Sequence, residues 1–110
     1  MYQGTTPALT FKVPGYDLTD MTVVVSIRGR NGGELNKTGT DLVITYNDDV
    51  SGKEYSLVAC KLTQKETLNL RPGDAICQIR FVDSNGEAWA TRKANVNVYD
   101  VIYKAVIQHE

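Results

Sequence analysis

The chain has too few of several residue types for most kinds of catalytic or metal site. Its 110 residues include one histidine, two cysteines and one tryptophan. The histidine, His109, is the penultimate residue, where chains commonly fray, so it is poorly placed to act as a base beside a serine or cysteine nucleophile. Cys60 and Cys77 together with this histidine do not have the ligand spacing of a zinc finger or ribbon. The sequence therefore predicts a protein that is not an enzyme and that holds no cofactor or metal.

An excess of one charge and long apolar runs are also missing. The chain has 12 Lys and Arg against 13 Asp and Glu, a net charge of −1. A protein that grips nucleic acid by its phosphates usually shows clustered basic residues, so nucleic acid is not an expected partner. No apolar run approaches the roughly 18 residues of a membrane span, and residues 1–7 lack the pattern of a secretory signal. We expect a soluble protein that is made in the cytoplasm, has no membrane partner and carries Cys60 and Cys77 as buried thiols.

The residues that are abundant favour a β-sheet. Val, Ile and Thr are frequent, and these residues suit a pleated, half-buried surface. Apolar and polar residues alternate in six segments, which predicts six strands with one buried face each, and residues 34–38 would add a short edge strand. The inward positions are Leu9, Phe11 and Val13; Val23, Val25 and Ile27; Leu42, Ile44 and Tyr46; Val58, Cys60 and Leu62; Cys77, Ile79 and Phe81; and Ala94, Val96 and Val98.

Two local motifs indicate how these strands are connected. Asn85-Gly86 lies between two alternating segments and predicts a hairpin with a type I′ turn. Thr63-Gln64-Lys65-Glu66 has the form of a capping box, which predicts one short helical turn near residues 63–68. An antiparallel sandwich or small barrel has such short strands separated by turns, and a crossover of this kind is frequent in immunoglobulin-like sandwiches.

The two ends of the chain differ from the predicted sandwich of residues 8–99. Residues 1–7 are predicted to be an extended arm, and such arms can pair with the sheet edge of a neighbour. Residues 100–110 form an apolar C-terminal extension, which predicts docking on its own domain, on a sister subunit or on another protein, and a further strand of the same domain is the alternative. The expected assembly contacts are Thr5, Thr6, Pro7, Tyr99, Val101, Ile102, Tyr103, Val106 and Ile107.

The aromatic residues allow a second interpretation. Six tyrosines and Trp89 offer flat apolar faces with polar tips, which can bind sugars or proteins. Trp89 and Tyr103 are the candidate ligand-binding residues in this interpretation, and packing within the sandwich is the alternative for aromatic residues of this kind. Whether Trp89 faces the core or the solvent depends on a bulge near Arg92-Lys93, where the alternation slips.

Three short motifs carry a resemblance to known proteins. They are Gln3-Gly4-Thr5-Thr6-Pro7, then Asp17-Leu18-Thr19 before a valine-rich strand, and Leu62-Thr63-Gln64-Lys65-Glu66-Thr67-Leu68. With these motifs the chain resembles small proteins from tail and structural gene modules of bacteriophages and prophages of gut Gram-positive bacteria. More distantly, it resembles the N-terminal domain of phage baseplate upper proteins.

The resemblance spans about residues 3–98 and implies an immunoglobulin-like, antiparallel β-sandwich of about seven strands. It also implies a virion structural protein of the tail or baseplate, made in the cytoplasm of the host bacterium and incorporated in the virion. Its expected partners are other phage structural proteins or copies of itself, and the family suggests no catalytic residues. A carbohydrate- or receptor-binding module displayed on the virion, with a host glycan as its ligand, is the alternative.

Overall fold

Eight strands and one short helix make up the part of the chain that the structure, a computed structural model, describes, which is residues 1–48 and 52–109. The strands are β1 (Ala8–Pro14), β2 (Thr22–Gly29), β3 (Glu34–Thr38), β4 (Leu42–Asp48), β5 (Glu54–Lys61), β6 (Gly73–Val82), β7 (Ala88–Ala90) and β8 (Ala94–Val98). The helix is α1 (Gln64–Asn69), and a 3-10 turn spans Gly39–Asp41. The prediction of a mostly β protein is confirmed, with the predicted edge strand present as β3.

The strands form two antiparallel sheets. One sheet has the order β1-β5-β4, and the other has the order β3-β2-β6-β7, with β8 also paired to β6. Residues from both sheets enter one hydrophobic core, because every second side chain of β2, β5 and β6 turns inward as the alternation predicts. The members buried most completely are Val25, Ile27, Val58, Cys60, Leu62, Leu70 and Ala75, together with Leu18.

The prediction for residues 63–68 is confirmed in detail. Thr63 Oγ1 accepts a hydrogen bond from the backbone N–H of Glu66 at 3.2 Å, and Glu66 Oε1 accepts one from the N–H of Thr63 at 2.8 Å. This capping box satisfies two backbone donors at the start of α1 that would otherwise lack partners. Leu62 and Leu70 flank the helix and are fully buried, so the crossover between the sheets also closes one end of the core.

The hairpin between β6 and β7 is present, but the predicted type I′ turn is wrong. That turn needs a positive φ at both central residues, and within the described residues only glycines have one. Gly86 has a φ of +84°, while Asp83 Oδ1 accepts from the N–H groups of Asn85 and Glu87 at 2.9 and 3.0 Å. The aspartate side chain thus holds a loop that needs only Gly86 in the left-handed region.

The predicted slip near Arg92 separates β7 from β8. Arg80 of β6 pairs with Ala90, and Cys77 of β6 pairs with Ala94. The step between these two pairs is three residues on β6 but four residues on the partner strand. The extra residue is the bulge, and it changes which positions face inward. Before the slip, Trp89 lies on the same face of the sheet as Phe81. After the slip, the residues that face inward are Ala94, Val96 and Val98. Ala94 is nevertheless exposed, because it lines an opening at the edge of the sheet.

Candidate assembly surface

The N-terminal arm is paired with the chain that follows β8. Tyr2 forms a parallel β-bridge with Tyr99. The N–H of Gln3 donates to the carbonyl of Tyr99 at 3.0 Å, and the N–H of Tyr99 donates to the carbonyl of Met1 at 2.7 Å. The backbone of residues 1–3 is thus engaged within the chain, and the arm brings the two ends of the described chain side by side.

Gln3 joins three segments at this point, and sequence reasoning did not single out its side chain. The side chain is buried, and its Nε2 donates to the carbonyl of Leu70 at 2.8 Å. Its Oε1 accepts from Lys104 Nζ at 2.8 Å. A buried amide with both of its polar atoms satisfied fixes the arm, the end of α1 and the extension relative to one another.

The backbone of the candidate residues Thr5 and Pro7 is hydrogen-bonded to α1 and to Leu62, which precedes it. The carbonyl of Thr5 accepts from Thr67 Oγ1 at 2.9 Å, and the carbonyl of Pro7 accepts from the N–H of Leu62 at 3.0 Å. The side chains of Thr5 and Thr6 are exposed, and Pro7 is half-buried. The arm therefore presents two threonines to solvent from a fixed backbone.

The C-terminal extension also lies against its own domain, but side chains hold it there. Gln64 Oε1 accepts from the N–H of Ile107 at 2.8 Å, and Gln64 Nε2 donates to the carbonyl of Ile107 at 3.1 Å. Lys104, which reaches Gln3, is also paired with Asp100 within the extension. Residues 100–109 form no strand, so the alternative of a further strand is wrong for this part of the chain, while Glu110 lies outside the described residues.

The large apolar side chains that are exposed in the described chain are concentrated on these two segments. Six of the seven large apolar residues that are exposed in the described chain belong to the arm or follow β8. The seventh, Val43, lines one shallow depression together with Thr6 and Val106. Ile102 has its whole side chain in solvent, and Val101 is half-buried. The other five exposed members are Tyr2, Tyr99, Tyr103, Val106 and Ile107.

An ion pair beneath this surface couples β3 to α1. Lys37 Nζ lies 2.7 Å from Glu66 Oε1, and only 10% of the lysine side chain is exposed. Burial opposes the charged form of Lys37, but the hydrogen bond and the attraction of Glu66 outweigh it and raise the pKa of the lysine. Burial likewise opposes the charged form of Glu66, and the hydrogen bonds from Lys37 and Thr63 outweigh it and lower the pKa of the carboxyl. Glu66 therefore serves the helix cap and the ion pair at once.

The two candidate ligand-binding aromatics do not lie together. Trp89 is half-buried and stacks on Phe81 with the ring centroids 5.7 Å apart, while Tyr16 contacts both rings. Tyr103 is 64% exposed and follows Val98, which pairs with Gly73 at the far end of β6. Trp89 thus packs against the core at one end of β6, and Tyr103 lies beyond the other end.

A different aromatic pair is exposed near the extension. The rings of Tyr2 and Tyr99 lie with their centroids 5.2 Å apart and both are about half exposed. Their contact follows from the parallel bridge between residues that are far apart in the chain. No local sequence signal marks such a bridge, so Tyr2 was not among the expected contacts.

Cys60 and Cys77 are both buried and free, as predicted, and burial raises the pKa of both thiols, which keeps them protonated. The described part of the chain contains no group of three or more His, Cys, Asp or Glu side chains that could hold a metal ion. Over the same residues, no helix has the length and apolar character required to cross a membrane.

No protein-family model matches the chain, and no curated protein matches it significantly.

Proposed function

We propose that the chain is a structural subunit of a bacteriophage particle, in the tail or baseplate, that acts through protein–protein contacts and not as an enzyme. The observation that carries the proposal is the gathering of exposed apolar side chains on the paired ends of the chain. Large apolar side chains left in contact with water at one place mark interaction sites. With a net charge of −1, copies of the chain also repel one another only weakly.

The motifs that resemble phage proteins have structural roles here, which supports a scaffold rather than a catalyst. In Asp17-Leu18-Thr19, the carboxylate of Asp17 accepts from both the N–H and the hydroxyl of Thr19, at 3.1 and 2.6 Å. Leu18 between them is fully buried, and its N–H donates to Ser56 Oγ at 3.0 Å. The motif therefore fixes the corner that leads into β2.

The strand order supports an immunoglobulin-like sandwich as the finer description of the fold. In that fold, three strands in the order B-E-D face a second sheet in the order C-F-G, which is extended by C′ beside C in some members. Strands β1-β5-β4 correspond to the first order, and β3-β2-β6-β8 correspond to C′-C-F-G. In this assignment β7 and β8 are two parts of strand G separated by the bulge, and there is no counterpart of strand A among the described strands.

The proposed partners are copies of the same chain or other phage structural proteins. The protein would be made in the cytoplasm of the host bacterium and incorporated in the virion. The contacts would be made by Thr5 and Thr6 of the arm and by the exposed residues of the extension, among them Ile102, whose side chain is fully in solvent.

The experiment compares incorporation of variants into purified particles. Ile102→Asp places a charge at a fully exposed position, so we expect an unchanged melting temperature and at least a roughly tenfold drop in incorporation measured by quantitative mass spectrometry. Asn95→Asp, at an exposed position of β8, is the matched control and should incorporate normally. Normal incorporation of both Ile102→Asp and a chain without residues 100–110 would overturn the proposal.

A carbohydrate- or receptor-binding module is the second candidate, and the exposed Tyr2–Tyr99 pair with Tyr103 nearby in the chain favours it. This candidate predicts reproducible binding to a glycan array that is lost in Tyr103→Ala. Trp89→Ala should leave such binding intact, because Trp89 packs on Phe81. An array without signal would speak against this candidate.

A further inference from the structure

An apolar groove lies between the two sheets at one side of the molecule. One wall is the edge strand β1, from Thr10 to Pro14, and the other is formed by β7, β8 and the bulge between them. The groove has a volume of about 690 Å³. Phe11, Ile79, Phe81, Trp89 and Tyr16 are among its lining residues, so most of its surface is aromatic or aliphatic.

The backbone of β1 offers hydrogen-bonding groups along this groove. The N–H of Gly15 donates to Glu54 and the N–H of Leu62 donates to Pro7, so odd-numbered residues of β1 are those bonded to β5. Hydrogen-bonded and non-bonded pairs alternate in an antiparallel ladder, so Thr10 and Lys12 direct their N–H and carbonyl groups to the other side. In the described chain no strand pairs with that side of β1. The groove thus combines apolar pockets with an unpaired strand edge, which is what β-augmentation requires.

The C-terminal extension has the pattern of a strand that would fit this groove. Val101, Tyr103, Ala105 and Ile107 alternate with Ile102, Lys104, Val106 and Gln108, so an extended conformation gives one entirely apolar face. Seven residues from 101 to 107 would span about 23 Å, the length of a strand with as many residues as β1. Residues 100–109 have no strand or helix of their own, and the large apolar side chains from Ile102 to Ile107 are exposed.

We infer that the groove between β1 and β7–β8 binds residues 101–107 of a second copy of this chain as an added strand. Val101, Tyr103, Ala105 and Ile107 would enter the apolar groove while the backbone pairs with Thr10 and Lys12. The inference rests on the proposed function, since it names the partner in an assembly contact. The contact joins two different surfaces, so repeated use of it builds rings or filaments.

The extension of the same copy is not the occupant. Gln64 of α1 holds Ile107, and Val106 lines a depression with Val43 and Lys61. Val43 belongs to β4, at the edge of the sheet opposite to β1. The extension therefore lies toward the β4 edge of its own copy, and Tyr103, Ala105 and Ile107 stay exposed there.

The test measures molar mass by light scattering over a concentration series of the full 110-residue chain. Ala94→Arg blocks the groove at an exposed lining position, and Ala88→Arg is the matched control on the same sheet outside the groove. Ile107→Asp blocks the apolar face of the extension, and its control is Gln108→Asp on the other face. We expect masses above 12.2 kDa for the unaltered chain and both controls, and association weakened roughly tenfold or more in each blocked variant. Melting temperatures verify that all the variants are folded.

Mixing the two blocked variants makes the test specific. Ala94→Arg keeps a competent extension and Ile107→Asp keeps a competent groove, so the mixture should form a heterodimer and nothing larger. An unaltered chain that stays at 12.2 kDa at every concentration would overturn the inference, as would Ala94→Arg associating like its control or a mixture that stays monomeric. A failure of the light-scattering test would not decide whether the chain is incorporated in particles. Conversely, absence of the chain from particles would overturn the proposed function but not the contact between copies.

Discussion

The arm and the extension lie side by side, yet they are attached in different ways. The backbone of the arm is hydrogen-bonded to the backbone of Tyr99 and Leu62 and to the hydroxyl of Thr67, and the Gln3 side chain is buried. The extension is held by the side chains of Gln64 and Lys104, while Ile102 and Ile107 remain in solvent. Because the arm is paired through its backbone and partly buried, we expect it to contribute to the free energy of unfolding of the domain. The contacts of the extension should contribute little to that free energy. The difference separates a segment that completes the fold from one that is free to serve a partner.

The largest effect is expected from Gln3→Ala, which removes the buried side chain of the arm and its two hydrogen bonds. The change leaves the buried carbonyl of Leu70 without its donor and Lys104 without one acceptor. Leaving a buried polar group unsatisfied costs about 2–3 kcal/mol, so the free energy of unfolding should fall by that amount in a denaturant titration. An unchanged midpoint would mean that the arm does not complete the fold.

A smaller effect is expected from Glu66→Gln, which keeps the cap but removes the charge beside Lys37. Glutamine still accepts from the N–H of Thr63, so the loss, about 1–2 kcal/mol at neutral pH, reports mainly on the ion pair. The lowered pKa of Glu66 means that its stabilisation is present above the ordinary carboxyl pKa and is lost as the pH falls through the lowered value. The raised pKa of Lys37 adds stability that is present below its usual 10.5 and is lost at higher pH.

The measurement for Glu66→Gln is the free energy of unfolding across the acidic range in both proteins. The decline of stability at low pH should be shallower in the variant, since the group that titrates has been removed. Parallel curves for the two proteins would contradict the role assigned to this pair.

The smallest effect on stability is expected from Gln64→Ala, which removes the two hydrogen bonds that hold the extension at Ile107. The free energy of unfolding should change by less than about 0.5 kcal/mol, because the residue is on the surface of α1 and alanine is a good helix former. Amide exchange at Ile107 should become roughly tenfold faster, since its N–H loses its acceptor. If the variant lost as much stability as Gln3→Ala, the contrast between the two segments would be wrong.

Alternation and local motifs are sufficient to predict the β character of the chain and its short helical turn. The inward faces of β2, β5 and β6 follow from a period of two, because a residue on a strand can point only to one side or the other. The capping box at Thr63 and Glu66 is equally local, since its partners are three residues apart. Both features depend on neighbours in sequence, so sequence reasoning reaches them.

Features that depend on distant residues were not predicted. The bridge between Tyr2 and Tyr99, the buried position of Gln3 and the ion pair of Lys37 with Glu66 each join segments that only the tertiary structure brings together. The orientation of Trp89 does not follow from alternation alone, because it depends on the one-residue slip before β8. The Asn85-Gly86 pair does not form a type I′ turn, because the side chain of Asp83 supplies hydrogen bonds that the pattern does not consider.

The most direct test of the proposed role is quantitative mass spectrometry of purified phage particles from a host that expresses the unaltered chain. We expect the protein to co-purify with the particles at a fixed copy number relative to the tail proteins, through repeated gradient steps. A protein that is abundant in the lysate but absent from the particles would not be a structural subunit of them.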